Sequence, residues 1–220
     1  MSCQTKLNEI EKIIKTLKKE SSRFKAPTVT EISENTRSPY QVLVTCLLSL
    51  RTKDEVTGNA SKRLFKLADT PEKMLKISTK KIEKAIYPVG FYKTKAKRIK
   101  EISKILVERY HSKAPDTIEE LLKFKGIGRK TANIVLVYGY GKKALPIDTH
   151  CHRIPNRLGW IHTKTPEQTE LELRKLIPER YWMDFNDLFV QFGQNICKPV
   201  KPNCPECPIK KYCNYYKYSF

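Results

Sequence analysis

The chain has 220 residues, and its 43 Lys and Arg against 23 Asp and Glu give a formal net charge of +20. At 40% hydrophobic and 30% charged it has the make-up of a folded protein rather than a disordered chain, with length for one domain or two small ones. A charge this positive calls for a polyanionic partner, either nucleic acid or an acidic membrane surface. The longest apolar stretch, residues 40–50, is far short of the ~20 residues that span a bilayer. The N-terminus, MSCQTKLNEIEKI, has no unbroken apolar run of the secretory kind. A cytoplasmic protein, neither secreted nor embedded in a membrane, is expected.

In chain order, Leu7, Ile10, Ile13, Ile14 and Leu17 recur at helical spacing and predict an amphipathic first helix. A polar stretch follows, from Glu20 to Pro39. Residues 40–50 are apolar almost all round, as in a helix buried within a bundle. Residues 54–67 are amphipathic through Val56, Ala60, Leu64 and Leu67. Thr70-Pro71 and Thr165-Pro166 each read as an N-cap followed by proline at the first helical position. A short helix is predicted from Lys80 to Ile86, stopped by Pro88 and Gly90, and a longer one over 93–110 that opens with KTKAKRIK. Residues 117–123, 129–138, 148–159, 167–177 and 182–196 also read as helices. Sustained period-two alternation is missing, so the class is all-α, with a boundary near Gly141 to Leu145.

Phe124-Lys125-Gly126-Ile127-Gly128-Arg129-Lys130-Thr131-Ala132 lies between two predicted helices. Two glycines around one apolar residue permit a tight turn and close approach of another backbone. The helix that follows aims its free N–H groups outward, which suits a DNA phosphate held without reading sequence. With Lys125 and Arg129 beside it, this reading is preferred to an ordinary glycine-capped turn. Lys130 is a candidate nucleophile, because a neutral amine can attack a sugar carbon and form a Schiff base. Its bland alternative is a phosphate-binding lysine.

Asp148, in Pro146-Ile147-Asp148-Thr149-His150, can serve two purposes. It can stabilise a cationic sugar as a base departs, and it can cap the next helix. His150 and His152, two apart, do not share a helical face and are read as structural. Pro155 falls inside that helix, where it removes a backbone hydrogen bond and is expected to kink it.

Of seven cysteines, Cys197, Cys204, Cys207 and Cys213 cluster near the C-terminus with Pro199, Pro202, Pro205 and Pro208 between them. In a chain without secretory character this means a metal centre rather than disulfides. Zinc and a [4Fe–4S] cluster both accept four thiolates; the single C-x2-C pair and the prolines lean towards the cluster.

With hairpin, lysine, aspartate and cysteine loop in that order, the chain closely resembles the endonuclease III family of helix-hairpin-helix DNA glycosylases. FKGIGRKTA resembles the family's L-P-G-V-G-x-K-T-A, which makes Lys130 the catalytic lysine. Residues 147–150 resemble V-D-T-H, which makes Asp148 the catalytic aspartate, and C-x6-C-x2-C-x5-C is the family's [4Fe–4S] spacing. The resemblance implies a six-helix barrel over 32–142, and an iron-sulfur domain made of 1–31 and 143–220, with the active site between them. It also implies a monomer acting on double-stranded DNA that carries damaged bases or abasic sites. The reaction would remove oxidised or ring-saturated pyrimidines and then cut 3′ to the abasic site by β-elimination through a lysine Schiff base.

Two further segments, Ser49 to Asp54 and Val89 to Lys93, are expected to fill the space left by a flipped nucleotide, with Gly126, Gly128, Lys125 and Arg129 on the phosphates. Arg51 stands where the family commonly has Gln. Phe91, in a stretch resembling G-L-Y-N, is either a wedge or core packing. Lys125 replaces the usual hairpin proline. A mismatch thymine or uracil glycosylase, which generally lacks the hairpin lysine, is the alternative enzyme, and a non-catalytic DNA-binding module the alternative from another class.

Overall fold

The computed structural model describes residues 3–24, 26–36 and 38–219, and every regular element among them is helical. None of the helices is long and apolar enough to cross a membrane. The chain divides into two compact units, one of Thr28–Ala144 and the other of Met1–Pro27 with Leu145–Phe220.

The second of these opens with α1 (Cys3–Ser21). Its stripe of Ile10, Ile13, Ile14 and Leu17 is fully buried, each side chain contributing about 1.5–3 kcal/mol.

The Thr28–Ala144 unit starts four residues before the 32 that the family resemblance implies, and part of the polar stretch folds in it as α2 (Thr28–Thr36). Tertiary bonds rather than propensity hold this helix. Thr28 N–H and Oγ1 donate to Asp54 Oδ2 at 3.0 and 2.9 Å, and Ser33 Oγ donates to the Tyr138 carbonyl. Next comes α3 (Pro39–Ser49), started by Ser38 with Pro39 in its first turn, and buried at every position from Tyr40 to Leu48. A helix wrapped on all sides needs apolar residues all round, as this segment has.

Around it run α4 (Asp54–Leu67), α5 (Pro71–Lys76), α6 (Thr79–Ile86) and α7 (Tyr92–Arg109). Thr70 Oγ1 accepts from Lys73 N–H at 3.3 Å, the cap anticipated from Thr-Pro. Three basic side chains close helix C-termini, where carbonyls lack helical partners. Lys95 reaches the end of α3, Lys100 reaches Leu75 O and Ile77 O beyond α5 at 2.7 Å each, and Arg63 reaches Ala85 O at the end of α6 at 2.8 Å. The unit ends in α8 (Ile118–Leu122) and α9 (Arg129–Ile134). The predicted 129–138 helix widens after Ile134 into a π-turn, residues 135–139.

The other unit continues with α10 (Thr149–Leu158), α11 (Pro166–Leu176), α12 (Trp182–Asn195) and a short α13 (Asn214–Ser219). Phe185 and Phe189 stack with ring centroids 4.1 Å apart at the centre of its core. α10 runs through Pro155 without interruption, its C-terminus closed by Gly159 at φ 78°. That glycine is required, since a Cβ there would sit 2.0 Å from Asn214 Nδ2.

Candidate functional site

The hairpin forms where it was expected. Phe124 and Ile127 are buried and anchor the turn, and Ile127 N–H donates to Phe124 O at 3.0 Å. Gly126 takes φ 88°, which disfavours any residue with a side chain. Gly128 is the N-cap of α9, and a Cβ added there would meet nothing within 4 Å. The backbone is therefore open to an approaching ligand at the point where α9 begins. Lys125, Arg129 and Lys130 are exposed around it. Lys130 occupies the first turn of α9, and no ion pair engages it among the described residues. Its charge lies close enough to α3 to act on the Cys46 thiol, which burial pushes up to about 12 and Lys130 draws partly back.

Arg51 and Phe91 come together. The Arg51 guanidinium lies over the Phe91 ring at 5.7 Å. Phe91 is 63% exposed, which excludes the core-packing alternative. Both residues, with Leu47, Leu50, Arg98 and Gly126 of the hairpin, line one open hollow of about 840 Å3. Three basic or apolar edges and an exposed aromatic ring suit a stacked base or its phosphate. Lys95 and Arg98, which help build this surface, were missed in the sequence. They sit in KTKAKRIK, which reads as the polar face of an amphipathic helix, and their partners are remote in the chain.

In the other unit, Asp148 is the N-cap of α10, and its Oδ1 accepts from the N–H groups of His150 and Cys151 at 2.8 Å each. Capping leaves the second carboxylate oxygen, and the half-buried side chain keeps access to solvent. His150 is structural as read, its ring pressed on Gly193 so closely that a Cβ there would lie 2.2 Å from Nδ1. Arg153 Nη2 pairs with His150 Nδ1 at 3.0 Å and donates to Cys197 O at 2.6 Å, joining α10 to the cysteine loop.

Cys197, Cys204, Cys207 and Cys213 line a single hollow walled by apolar side chains such as Ile154, Leu158 and Phe192. Burial pushes the Cys207 thiol up to about 11 and raises those of Cys204 and Cys213, and the neighbouring sulfurs raise all three further. Thiolates gathered this way need a cationic centre to hold their charge. Arg157 Nη1 donates to Cys197 Sγ at 3.3 Å, and Arg153 also lies against that sulfur. No group of three or more His, Cys, Asp or Glu among those residues is drawn in around a single metal ion. Four thiols around one apolar hollow fit a group held by four thiolates.

The family model described as HhH-GPD superfamily base excision DNA repair protein matches residues 44–179. Endonuclease III of Thermotoga maritima is 51% identical over 179 residues, which cover 81% of this chain and 84% of that protein. The chain belongs to the endonuclease III family. Endonuclease III-like protein 1 of Mus musculus is 41% identical over 177 residues, 79% of this chain and 59% of the mouse protein. Among solved structures, a non-covalent endonuclease III–DNA complex matches with a TM-score of 0.85 at 28% identity, covering 99% of this chain and 97% of that one. A thermostable thymine-DNA glycosylase matches with a TM-score of 0.75 at 27% identity, covering 92% and 97%. Members of the endonuclease III family are DNA glycosylases of base excision repair with AP lyase activity.

Proposed function

We propose that this chain excises oxidised or ring-saturated pyrimidines from duplex DNA and then cuts the strand at the resulting abasic site. The observation that carries the lyase half is Lys130, an exposed amine in the first turn of α9 next to the open backbone of Gly128. A glycosylase without strand cutting needs no amine nucleophile and would use that lysine only on phosphate, which disfavours the thymine or uracil alternative.

The hairpin backbone at Gly126 and Gly128, with Lys125 and Arg129, holds a phosphate of the damaged strand. Arg51 and Phe91 enter the duplex, and the lesion, poorly stacked, leaves it. Lys130 Nζ attacks C1′ as a free amine. The bond from C1′ to the base breaks and the base takes the proton that the amine loses; the C1′–O4′ bond then breaks, O4′ taking a proton from solvent, which leaves the opened sugar as a protonated imine on Lys130. Loss of a proton from C2′ then expels the 3′ phosphate. Asp148 carries negative charge beside the sugar while the base departs, held in place by its own capping bonds.

Cys197, Cys204, Cys207 and Cys213 are proposed to hold a [4Fe–4S] cluster, supported by the one hollow that all four line. These four cysteines would tie the loop to the cluster at four points, the cluster supplying a cationic centre for their thiolates. Around it, Arg157 and Arg153 tie the loop to α10 through Cys197 Sγ, Cys197 O and Lys198 O.

Borohydride trapping on a duplex containing thymine glycol tests the reading. The wild type should yield a reduced protein–DNA adduct and Lys130→Ala none. A wild-type protein that is loaded with iron and forms no adduct would sink the lyase mechanism. Release of thymine from a G·T duplex without strand cutting would then support the mismatch enzyme.

A further inference from the structure

The two loops that carry Arg51 and Phe91 share an unusual backbone. Both residues sit in the left-handed region, at φ 52° and 57°. An ordinary L-residue holds that conformation only where its surroundings impose it. Those surroundings converge on one ammonium. Lys95 Nζ donates to Leu48 O at 2.8 Å, to Leu50 O, and to Thr52 Oγ1 at 3.2 Å, so all three of its donors are used. Thr52 is used to its limit as well. Its hydroxyl also accepts from Gly90 N–H at 3.2 Å and donates to Leu50 O at 3.2 Å. The loops touch so closely that a Cβ on Gly90 would lie 2.7 Å from Arg51 O.

Lys95 is 6% exposed, and no carboxylate pairs with it among the described residues. The charged groups sharing its hollow, Arg51 and Arg98, are cations too. Burial pushes its amine down to about 8. If packing were the only need, an apolar side chain would fill this place at less cost than a buried charge held by neutral acceptors. An ammonium supplies direction instead, since its tetrahedral donors fix one acceptor at the end of α3, two on the loop after it and, through Thr52, the neighbouring turn.

We propose that Lys95 is the positioning residue for strand insertion, its ammonium setting the backbone from which Arg51 and Phe91 enter the duplex. The proposal rests on the assignment of those two residues to the duplex. Lys100 provides a matched control. It lies on the same helix and binds Leu75 O and Ile77 O in the same manner, but touches neither loop.

The test uses the full, iron-loaded chain and a duplex with 2-aminopurine beside a tetrahydrofuran abasic analogue, followed by stopped-flow fluorescence. Lys95→Met should slow the fluorescence step about 10- to 100-fold, as a misplaced contact group does. Phe91→Ala should do the same, and the double variant should be no slower than the worse single one. Lys100→Met should match the wild type. Thr52→Val, which leaves the ammonium in place, should shift the step in the same direction and stands in if Lys95→Met does not fold. Imine trapping on a single-stranded abasic oligonucleotide, where no insertion is needed, should fall far less in Lys95→Met than the fluorescence step does. A wild-type fluorescence step in Thr52→Val or Lys95→Met would overturn the proposal, as would losses that multiply in the double variant. A wild type with no fluorescence step at all would sink the duplex assignment, and the proposal with it, while leaving imine trapping to report on Lys130 separately.

Discussion

Replacing Asp148 by Asn and by Ala separates the two jobs of its carboxylate. One oxygen, Oδ1, caps α10 by accepting from His150 and Cys151 N–H at 2.8 Å each. Asn offers an oxygen at the same place and ranks with Asp as an N-cap, so it should lose only the charge–dipole part, about 0.3–1 kcal/mol. Ala loses the cap itself, about 0.5–2 kcal/mol. At ~2–4 °C per kcal/mol for a chain of this size, Asn should melt within about 4 °C of the wild type and Ala up to about 8 °C lower. Excision should fall alike in both, since each lacks a fixed negative charge beside the cationic sugar, and such a loss costs about 10²–10³-fold. Single-turnover release of thymine glycol, run beside thermal melting of the same preparations, reads both quantities. Wild-type excision by Asp148→Asn would refute the electrostatic role and leave the carboxylate a cap alone. An Asn variant that melts as low as Ala would refute the capping account.

Three other outcomes follow from the site. Lys95 has its folded-state amine lowered to about 8 from 10.5, so between those values the unfolded chain binds more protons and stability contributed at this position rises with pH. The urea midpoint of the wild type should gain on that of Lys95→Met from pH 7 to pH 10, whereas a gap that stays constant would contradict the burial. Cys204→Ala should lose iron by elemental analysis and admit protease between residues 197 and 213, while fragments of the Thr28–Ala144 unit persist; protection equal to the wild type would contradict the cluster assignment. Lys125→Ala should weaken duplex binding equally for all sequences and lower the log–log salt slope by about one. An unchanged slope would place Lys125 away from phosphate.

What could be read in the chain was what neighbouring residues decide among themselves. Thr70-Pro71, Thr165-Pro166 and Asp148 announce helix starts because cap and capped N–H lie within three residues. The apolar run of residues 40–50 announces α3 because burial on all sides leaves no polar face. The sequence of α2 gives no such signal, since its stability comes from Asp54 and Tyr138, up to 105 residues away. Lys95 and Lys100 were illegible for the same reason: a lysine on a basic helix looks solvated until the carbonyls it caps arrive from 23 to 47 residues off. Phe91 could not be assigned from its neighbours, because exposure belongs to the folded surface and not to the tetrapeptide that carries it. Pro155 lies inside α10 without ending it, and nothing in its immediate sequence explains why the helix continues.

The discontinuity of the unit built from residues 1–27 and 145–220 sets an order on folding. Ribosomal synthesis releases α1 first, yet every buried partner of Ile10, Ile13, Ile14 and Leu17 in that core lies at residue 145 or beyond. At ~5–20 residues per second the wait is on the order of ten seconds, time in which the Thr28–Ala144 unit can fold on its own. Throughout it, an aliphatic stripe stands in water on a nascent chain. The nascent chain therefore presents a short-lived chaperone target on α1, and a stall before residue 145 would prolong that exposure.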